Sequence, residues 1–145
     1  MSVFDSFRIS ASGLTAEKLR MDLIANNLAN VNTTQTEEGG PYRRQMAIFQ
    51  AIEDAKVDRR QSNSKLATGK GVKVVGIYHD PSPPRLVYDP EHPDANADGY
   101  VELPNIQPVK EMVDLISASR AYEANITAIN AAKSMAQKAL EIGKG

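Results

Sequence analysis

Apolar positions concentrate in two long runs, one near each end of the chain, and both have helical spacing. In the first run Phe7, Leu14, Met21 and Leu28 recur every seven residues, Phe4, Ala11 and Ala25 fill the alternate seam, and Ile24 and Val31 widen it. In the last, Met112, Leu115, Ser119, Tyr122, Ile126, Ile129, Lys133, Ala136 and Leu140 follow alternating three- and four-residue steps. That is the spacing of a coiled-coil seam, interrupted at Ser119 and Lys133. The pattern predicts a helix over residues 3–32, ~45 Å long at ~1.5 Å per residue, and a second over 109–142. The Asn-rich end of the first, followed by Thr33 and Thr34, is a stop signal, because these side chains compete with the helix ladder. Gly39, Gly40 and Pro41 then break the chain, and Gly143 and Gly145 end the second helix.

The middle has a different texture. Residues 42–52 (YRRQMAIFQAI) suit a strand, and their continuation to Lys56 suits a helix equally. Residues 57–70 are polar and weakly patterned and predict a loop. Residues 72–78 (VKVVGIY) form the clearest strand, 85–88 a second and 100–103 a third. Pro81, Pro83 and Pro84 predict a stiff turn, 90–99 a loop, and Pro104 and Pro108 flank the start of the last helix. The fold class is therefore mainly α with a small β-containing middle. The chain divides into an N-terminal helix (1–34), a middle segment of loops and short strands (35–105) and a C-terminal helix (106–145).

The simplest packing is an antiparallel hairpin of the two helices over the β-unit. Two details argue that it is incomplete. The last helix carries a second stripe of small residues, Ala121, Ala124, Ala128, Ala132 and Ala139, with Met135 and Ile142. A helix apolar on two faces has two neighbours, or lies within a bundle. Asn26, Asn27, Asn30 and Asn32 also crowd two turns, each costing ~0.5 kcal/mol or more against Ala in a helix. Some cap the terminus; Asn26 and Asn30, four apart on one face, are placed to bond to neighbouring chains, a device that sets register in helix packing.

The chain has 145 residues, one ordinary domain, and a formal net charge of −1, so no global field recruits nucleic acid or an anionic membrane. It has no Trp and three Phe, too few for a base-stacking platform. With no Cys, disulfides and thiolate metal sites are excluded. No run approaches the roughly eighteen apolar residues of a membrane span, and MSVFDSFRIS lacks the features of a cleavable secretory signal. In the middle, Lys56, Arg59, Arg60, Lys65, Lys70 and Lys73 outweigh Asp58, whereas Asp80, Asp89, Glu91, Asp94, Asp98 and Glu102 outweigh Arg85. These are either solvated loops or complementary patches between subunits.

Catalytic chemistry has little support. Asp94, Asn96, Asp98, Gly99 and Glu102 occupy the first, third, fifth, sixth and ninth places of a calcium-loop pattern, but Asn105 stands where the bidentate Glu belongs. His79 beside Asp80 would put base and carboxylate on opposite faces of a strand. No G-x-S-x-G elbow exists, and Gly69-Lys70 lacks the rest of a phosphate loop. No cofactor, metal or catalytic residue is expected.

SASGL at 10–14 and RMDLIANNLANVNTT at 20–34 resemble the N-terminal signature of bacterial flagellar axial (rod and hook) proteins, and EMVDLISASRAYEANITAINAAKSM at 111–135 resembles their C-terminal signature. GGPYRRQ at 39–45 and DPSPPRLVYDPEHPDANADGYVELPN at 80–105 narrow the resemblance to the proximal rod proteins. Glu17-Lys18 stands where such proteins often carry Gln-Arg. The resemblance implies a structural, non-enzymatic subunit of the basal-body rod, stacking helically to transmit torque. Its long helices would pair in an α-helical tube with the middle segment outside. The implied partners are further copies, other proximal and distal rod proteins, the adaptor joining rod to membrane ring, and the flagellar type III export apparatus, with no nucleic acid and no small-molecule substrate. The implied location is the basal body in the cell envelope, reached without signal cleavage. The residues expected at subunit interfaces are Phe4, Phe7, Leu14, Met21, Ile24, Asn26, Asn27, Leu28, Asn30 and Val31 of the first helix, and Met112, Leu115, Ile116, Tyr122, Ile126, Ile129, Ala136 and Leu140 of the last. The competing reading from the residues is a divalent-metal-binding or cell-wall-modifying envelope protein built on the loop from Asp94 to Glu102.

Overall fold

A computed structural model describes residues 3–52 and 69–145. Helix α1 (Val3–Ala29) is followed by strands β1 (Gln45–Ala51), β2 (Val72–His79), β3 (Arg85–Tyr88) and β4 (Tyr100–Leu103), and helix α2 (Pro108–Gly143) closes the chain. The expected fold, two long helices around a small β-containing middle, is the one observed. The extension of the first strand toward Lys56, most of the loop expected over 57–70, and Lys56, Arg59, Arg60 and Lys65 lie outside the described residues.

The strands make two separate antiparallel pairs rather than one sheet. β1 pairs with β2 from Gln45 opposite His79 to Ala51 opposite Val72, with an irregularity between Ile48 and Phe49. The ladder continues past both ends: Asp80 N–H donates to Arg44 O at 2.9 Å and Ile52 N–H to Gly71 O at 2.8 Å. β3 pairs with β4, Arg85 opposite Leu103 and Tyr88 opposite Tyr100, whose rings meet edge to face at 5.3 Å. That geometry suits the ring quadrupoles.

α1 ends three residues before the expected Asn32. Asn30 explains the early stop. Its Nδ2 folds back on Asn26 O (2.9 Å) and Asn26 Oδ1 (3.0 Å), and its Oδ1 takes the Thr33 hydroxyl at 3.0 Å. Short amide side chains bonding locally in this way replace the helix ladder. α2 starts at Pro108, where a missing N–H costs nothing in the first helical turn.

The two helices run antiparallel against each other. Asn27 Nδ2 donates to Glu111 Oε2 at 3.1 Å, and Gly13 backs onto the Asn125 amide, 2.9 Å from where a Cβ would stand. Asn27 to Gly13 spans fourteen residues of α1, and Glu111 to Asn125 the same fourteen of α2, so the helices stay in step. The 36-residue α2 is ~54 Å long and the 27-residue α1 ~40 Å at ~1.5 Å per residue, so the last turns of α2 project past α1.

The seam is not the heptad of bulky side chains that dominates the sequence pattern. The buried positions of α1 are Ser10, Ala16, Leu23, Ile24 and Asn27, and those of α2 are Glu111, Ala118 and Ala132. Phe7, Leu14, Met21 and Leu28 flank this seam half-buried, while Phe4 is 82% exposed. Small side chains let the backbones approach, and at Gly13 even a Cβ would collide with the Asn125 amide. Val101 and Ile106 are also buried, shortly before α2 begins.

The β1–β2 hairpin is tied to α1 at Gly71. Val72 N–H donates to Ser12 Oγ at 3.0 Å, and Ser12 Oγ donates to Ile9 O at 2.6 Å. Gly71 sits at φ +112°, and a Cβ there would fall on the Ser12 hydroxyl. Both facts demand glycine. Gly71→Ala should therefore lower stability by about 2 kcal/mol or more, the cost of a strained backbone plus the collision, read as a fall in the urea midpoint of the purified chain.

Candidate functional site

The end of the hairpin where α1 stops and α2 begins holds a closed polar cluster. Asn27 is fully buried and spends its whole amide. Nδ2 donates to Gln45 O (2.9 Å) and Glu111 Oε2 (3.1 Å); Oδ1 accepts from Gln45 N–H (2.9 Å) and the Tyr42 hydroxyl (3.0 Å). The two bonds to Gln45 make the Asn27 side chain pair with β1 as a neighbouring strand would. Asn26 Nδ2 then donates to Tyr42 Oη at 3.1 Å.

Glu111 is the other half of the cluster. It lies in the first turn of α2, where the helix dipole favours a negative charge, and is fully buried. Arg44 Nε donates to its Oε1, and Arg44 Nη2 reaches Asp114 Oδ2 at 3.5 Å. The Arg44 side chain is 14% exposed. A buried carboxylate needs both a counter-charge and enough donors, and Arg44 and Asn27 supply them. Among the described residues no buried side-chain nitrogen or oxygen lacks a partner. Burial first, and then the Glu111 charge, push the Tyr42 phenol above its ordinary value, against a lowering by its bond with Asn26.

The expected interface residues fall into three groups. Ile24 and Asn27 are buried inside the chain. Phe7, Leu14, Met21, Leu28, Asn30, Val31, Leu115, Tyr122, Ile129 and Ala136 are half-buried beside the seam, and Phe4, Asn26, Met112, Ile116, Ile126 and Leu140 are exposed. The asparagines expected at contacts with neighbouring chains have partners within the chain: Asn27 in the cluster, Asn26 with Tyr42 and Asn30. The physical reason is that the strand after α1 folds back across it, presenting backbone groups that a buried amide must meet.

Two exposed residues missing from that set, Val109 (74%) and Val113 (59%), join Met112 and Ile116 on the face of α2 turned away from α1. Their three- and four-residue spacing was the available signal. Tyr42, Arg44, Gln45, Glu111 and Asp114 were also missed; a glutamate seven residues before the core Ala118 was the one hint.

The acidic loop is occupied by its own chain. Asp94 Oδ2 accepts the Thr34 hydroxyl at 2.6 Å, and Asn96 Oδ1 accepts the Asp98 and Tyr100 N–H groups at 3.0 and 2.9 Å. Among the described residues no three His, Asp or Glu side chains are grouped to hold a metal ion. His79 Nε2 faces Gln45 Nε2 at 3.1 Å, while Asp80 Oδ1 accepts from Ser82 N–H at 2.9 Å, so the adjacent pair do not act on one another. Hydrogen bonds from Ser82 hold the Asp80 carboxyl below the usual range.

Residues 7–35 match the family model described as flagella basal body rod protein, and residues 97–142 match that of the flagellar basal body rod FlgEFG protein C-terminal. Across full length, the chain is similar to flagellar basal-body rod proteins FlgC: 50% identical to that of Bacillus subtilis (99% of this chain, 100% of the relative), 48% to that of Borreliella burgdorferi (100% of both) and 41% to that of Salmonella typhimurium (99% and 100%).

Two outcomes are expected from the polar cluster. Arg44→Ala strands the Glu111 charge and should cost about 3–5 kcal/mol, the range for breaking a buried pair, measured by chemical denaturation. A phenol pKa raised on folding adds stability that is whole below the unfolded value near 10 and is lost as pH rises through the folded value. Stability should thus fall above pH ~10, and Tyr42→Phe should reduce the slope of that fall.

Proposed function

We infer, from the fact that this chain belongs to the flagellar basal-body rod protein family, that its place is the proximal rod. It is a structural subunit of the basal-body rod, associated with other rod components. The finer reading is a helical polymer that transmits torque without catalysis. Heterologous contacts that do not close generate such filaments. Torque transmission needs many buried contacts per subunit, so that no single interface slips.

The observation that carries this reading is the division of labour within the hairpin. Small residues close α1 on α2, so bulky apolar side chains remain outside: Val109, Met112, Val113 and Ile116 on one stretch of α2, Leu140 and Ile142 at its overhanging end, and Phe4 on α1. Exposed apolar rows of this extent mark association sites. We place the subunit contacts there and along the flanking row Phe7, Leu14, Met21 and Leu28, with copies of this chain, neighbouring rod proteins and the rod-to-ring adaptor as partners. The long helices would line the inner tube and the β-pairs would face outward. Passage through the flagellar type III export apparatus belongs to the same reading.

Met112→Glu combined with Ile116→Glu tests it. Both residues are more than half exposed, so thermal stability of the isolated chain should change by no more than about 1 kcal/mol. A strain carrying the pair should be non-motile, with basal bodies that lack a completed rod. Normal motility with both charges present would overturn the placement.

A further inference from the structure

The α1–α2 seam has an unusual weakness. Four of its buried side chains are small, Ser10 and Ala16 on one helix and Ala118 and Ala132 on the other, and the bulky buried ones, Leu23 and Ile24, stand together at one end of α1. On the side of α2 that faces α1, Ala118 and Ala132 are buried and Ala121 and Ala136 half-buried, so much of that surface is low in relief. Interlocking of large side chains normally sets axial register between helices. Here the bulky row Phe7, Leu14, Met21 and Leu28 lies to the side. A slip of α2 by one turn, ~6 Å at ~1.5 Å per residue, would bring Ala128 to the place of Ala132 and Ala121 to that of Asn125, with Asp114 coming to that of Ala118.

We propose that Glu111 is a register pin, a positioning residue whose buried carboxylate fixes α2 axially against α1 and β1. Three observations converge on it. Glu111 is fully buried, and its two oxygens are taken by different segments: Oε2 by Asn27 of α1, Oε1 by Arg44 just before β1. Asn27 is itself immobilised by both backbone groups of Gln45, so its remaining N–H points at a single place. A one-turn slip would withdraw the carboxylate from both donors and leave Arg44 and the fourth amide bond of Asn27 without their buried partner. That penalty falls on slipped states and spares the native one. Buried polar groups act this way where apolar packing leaves register open, trading stability for uniqueness.

The pin decides more than the hairpin. Register sets where Leu140 and Ile142 project and where Val109 to Ile116 stand relative to the Phe7–Leu28 row, so a slipped subunit presents a different outer surface. The inference holds for the isolated chain whether or not the rod reading is right.

The absence of cysteine in the natural sequence makes the test clean. Two double-cysteine forms of the full chain report register: Gly13→Cys with Asn125→Cys for the native alignment, and Gly13→Cys with Ala121→Cys for a one-turn slip. Each is made in the parent and in Arg44→Met/Glu111→Leu, which removes the pin but leaves Asn27 bonded to Gln45 and Tyr42. In dilute parent, oxidation should close the native pair at least about tenfold more than the slipped pair, as a polar register device requires. In the apolar variant the melting temperature should be equal to the parent's or higher, since such replacements are often stabilising, while the two pairs close to within about twofold. Retained tenfold preference in that variant would overturn the proposal, and so would comparable closure of both pairs in the parent. Should circular dichroism show that the double variant does not fold, Glu111→Gln, which keeps the volume and removes the charge, replaces it: a several-fold rise of the slipped pair supports the pin, and a parent-like ratio refutes it.

Discussion

A carboxylate withdrawn completely from water dictates where everything around it stands. Glu111 has no solvent to fall back on, so Arg44 must arrive with its charge and Asn27 with an N–H. To deliver Arg44, the chain leaving α1 must turn back at the GGPY segment and cross the helix it has just left. To deliver Asn27 in one orientation, β1 must present both backbone groups of Gln45. The hairpin closure, the start of β1 and the first turn of α2 are thus a single constraint satisfied at once. Tyr42 completes it by donating to the last free acceptor of Asn27.

The rest of the hairpin is built to a contrasting rule. Beyond Leu23 and Ile24, α1 and α2 approach on Ser10, Gly13, Ala16, Ala118 and Ala132, which bury little apolar area each. Area removed from water is the main source of stabilisation, at ~25 cal/mol per Å². A chain that leaves many of its large side chains exposed therefore gives up part of its own stability, and in the proposed rod that area is what contacts between subunits would bury. For a rod component this distribution would be useful: stability would come with assembly, and the polar cluster would hold the surface that the lone chain presents.

Much of this was readable in the chain. Among the described residues, the two helices, the four strands and the proline and glycine breaks stand within a few residues of where periodicity and turn chemistry put them, because those signals act over short sequence distances. The early end of α1 depends on Asn30 turning back on Asn26, a choice composition cannot rank against ordinary capping. The polar cluster was invisible because Asn27, Arg44 and Glu111 are separated by 67 to 84 residues along the paths that join them to Glu111. The closing seam is hard to read from sequence for a different reason. Large apolar residues dominate any hydrophobic periodicity, so the heptad of Phe7 to Leu28 outweighed the smaller face of Ser10, Gly13 and Ala16. Closeness of approach, not bulk, chose the face that closes. The SASGL motif makes sense in these terms: Ser10 is buried, Ser12 holds Val72, Gly13 admits Asn125, and Leu14 is left at the flank.

In the proposed rod subunit, polar contacts hold the isolated chain at one end while its apolar rows await neighbours. Amide hydrogen exchange, compared between the free chain and the same chain in purified basal bodies, tests this most directly, since exchange reports local opening segment by segment. The account predicts slow exchange in the free chain around Asn27 and Glu111, fast exchange over residues 136–143 and the first turns of α1, and a large slowing of those fast segments on incorporation. Uniform protection along both helices of the free chain, unchanged by assembly, would contradict it.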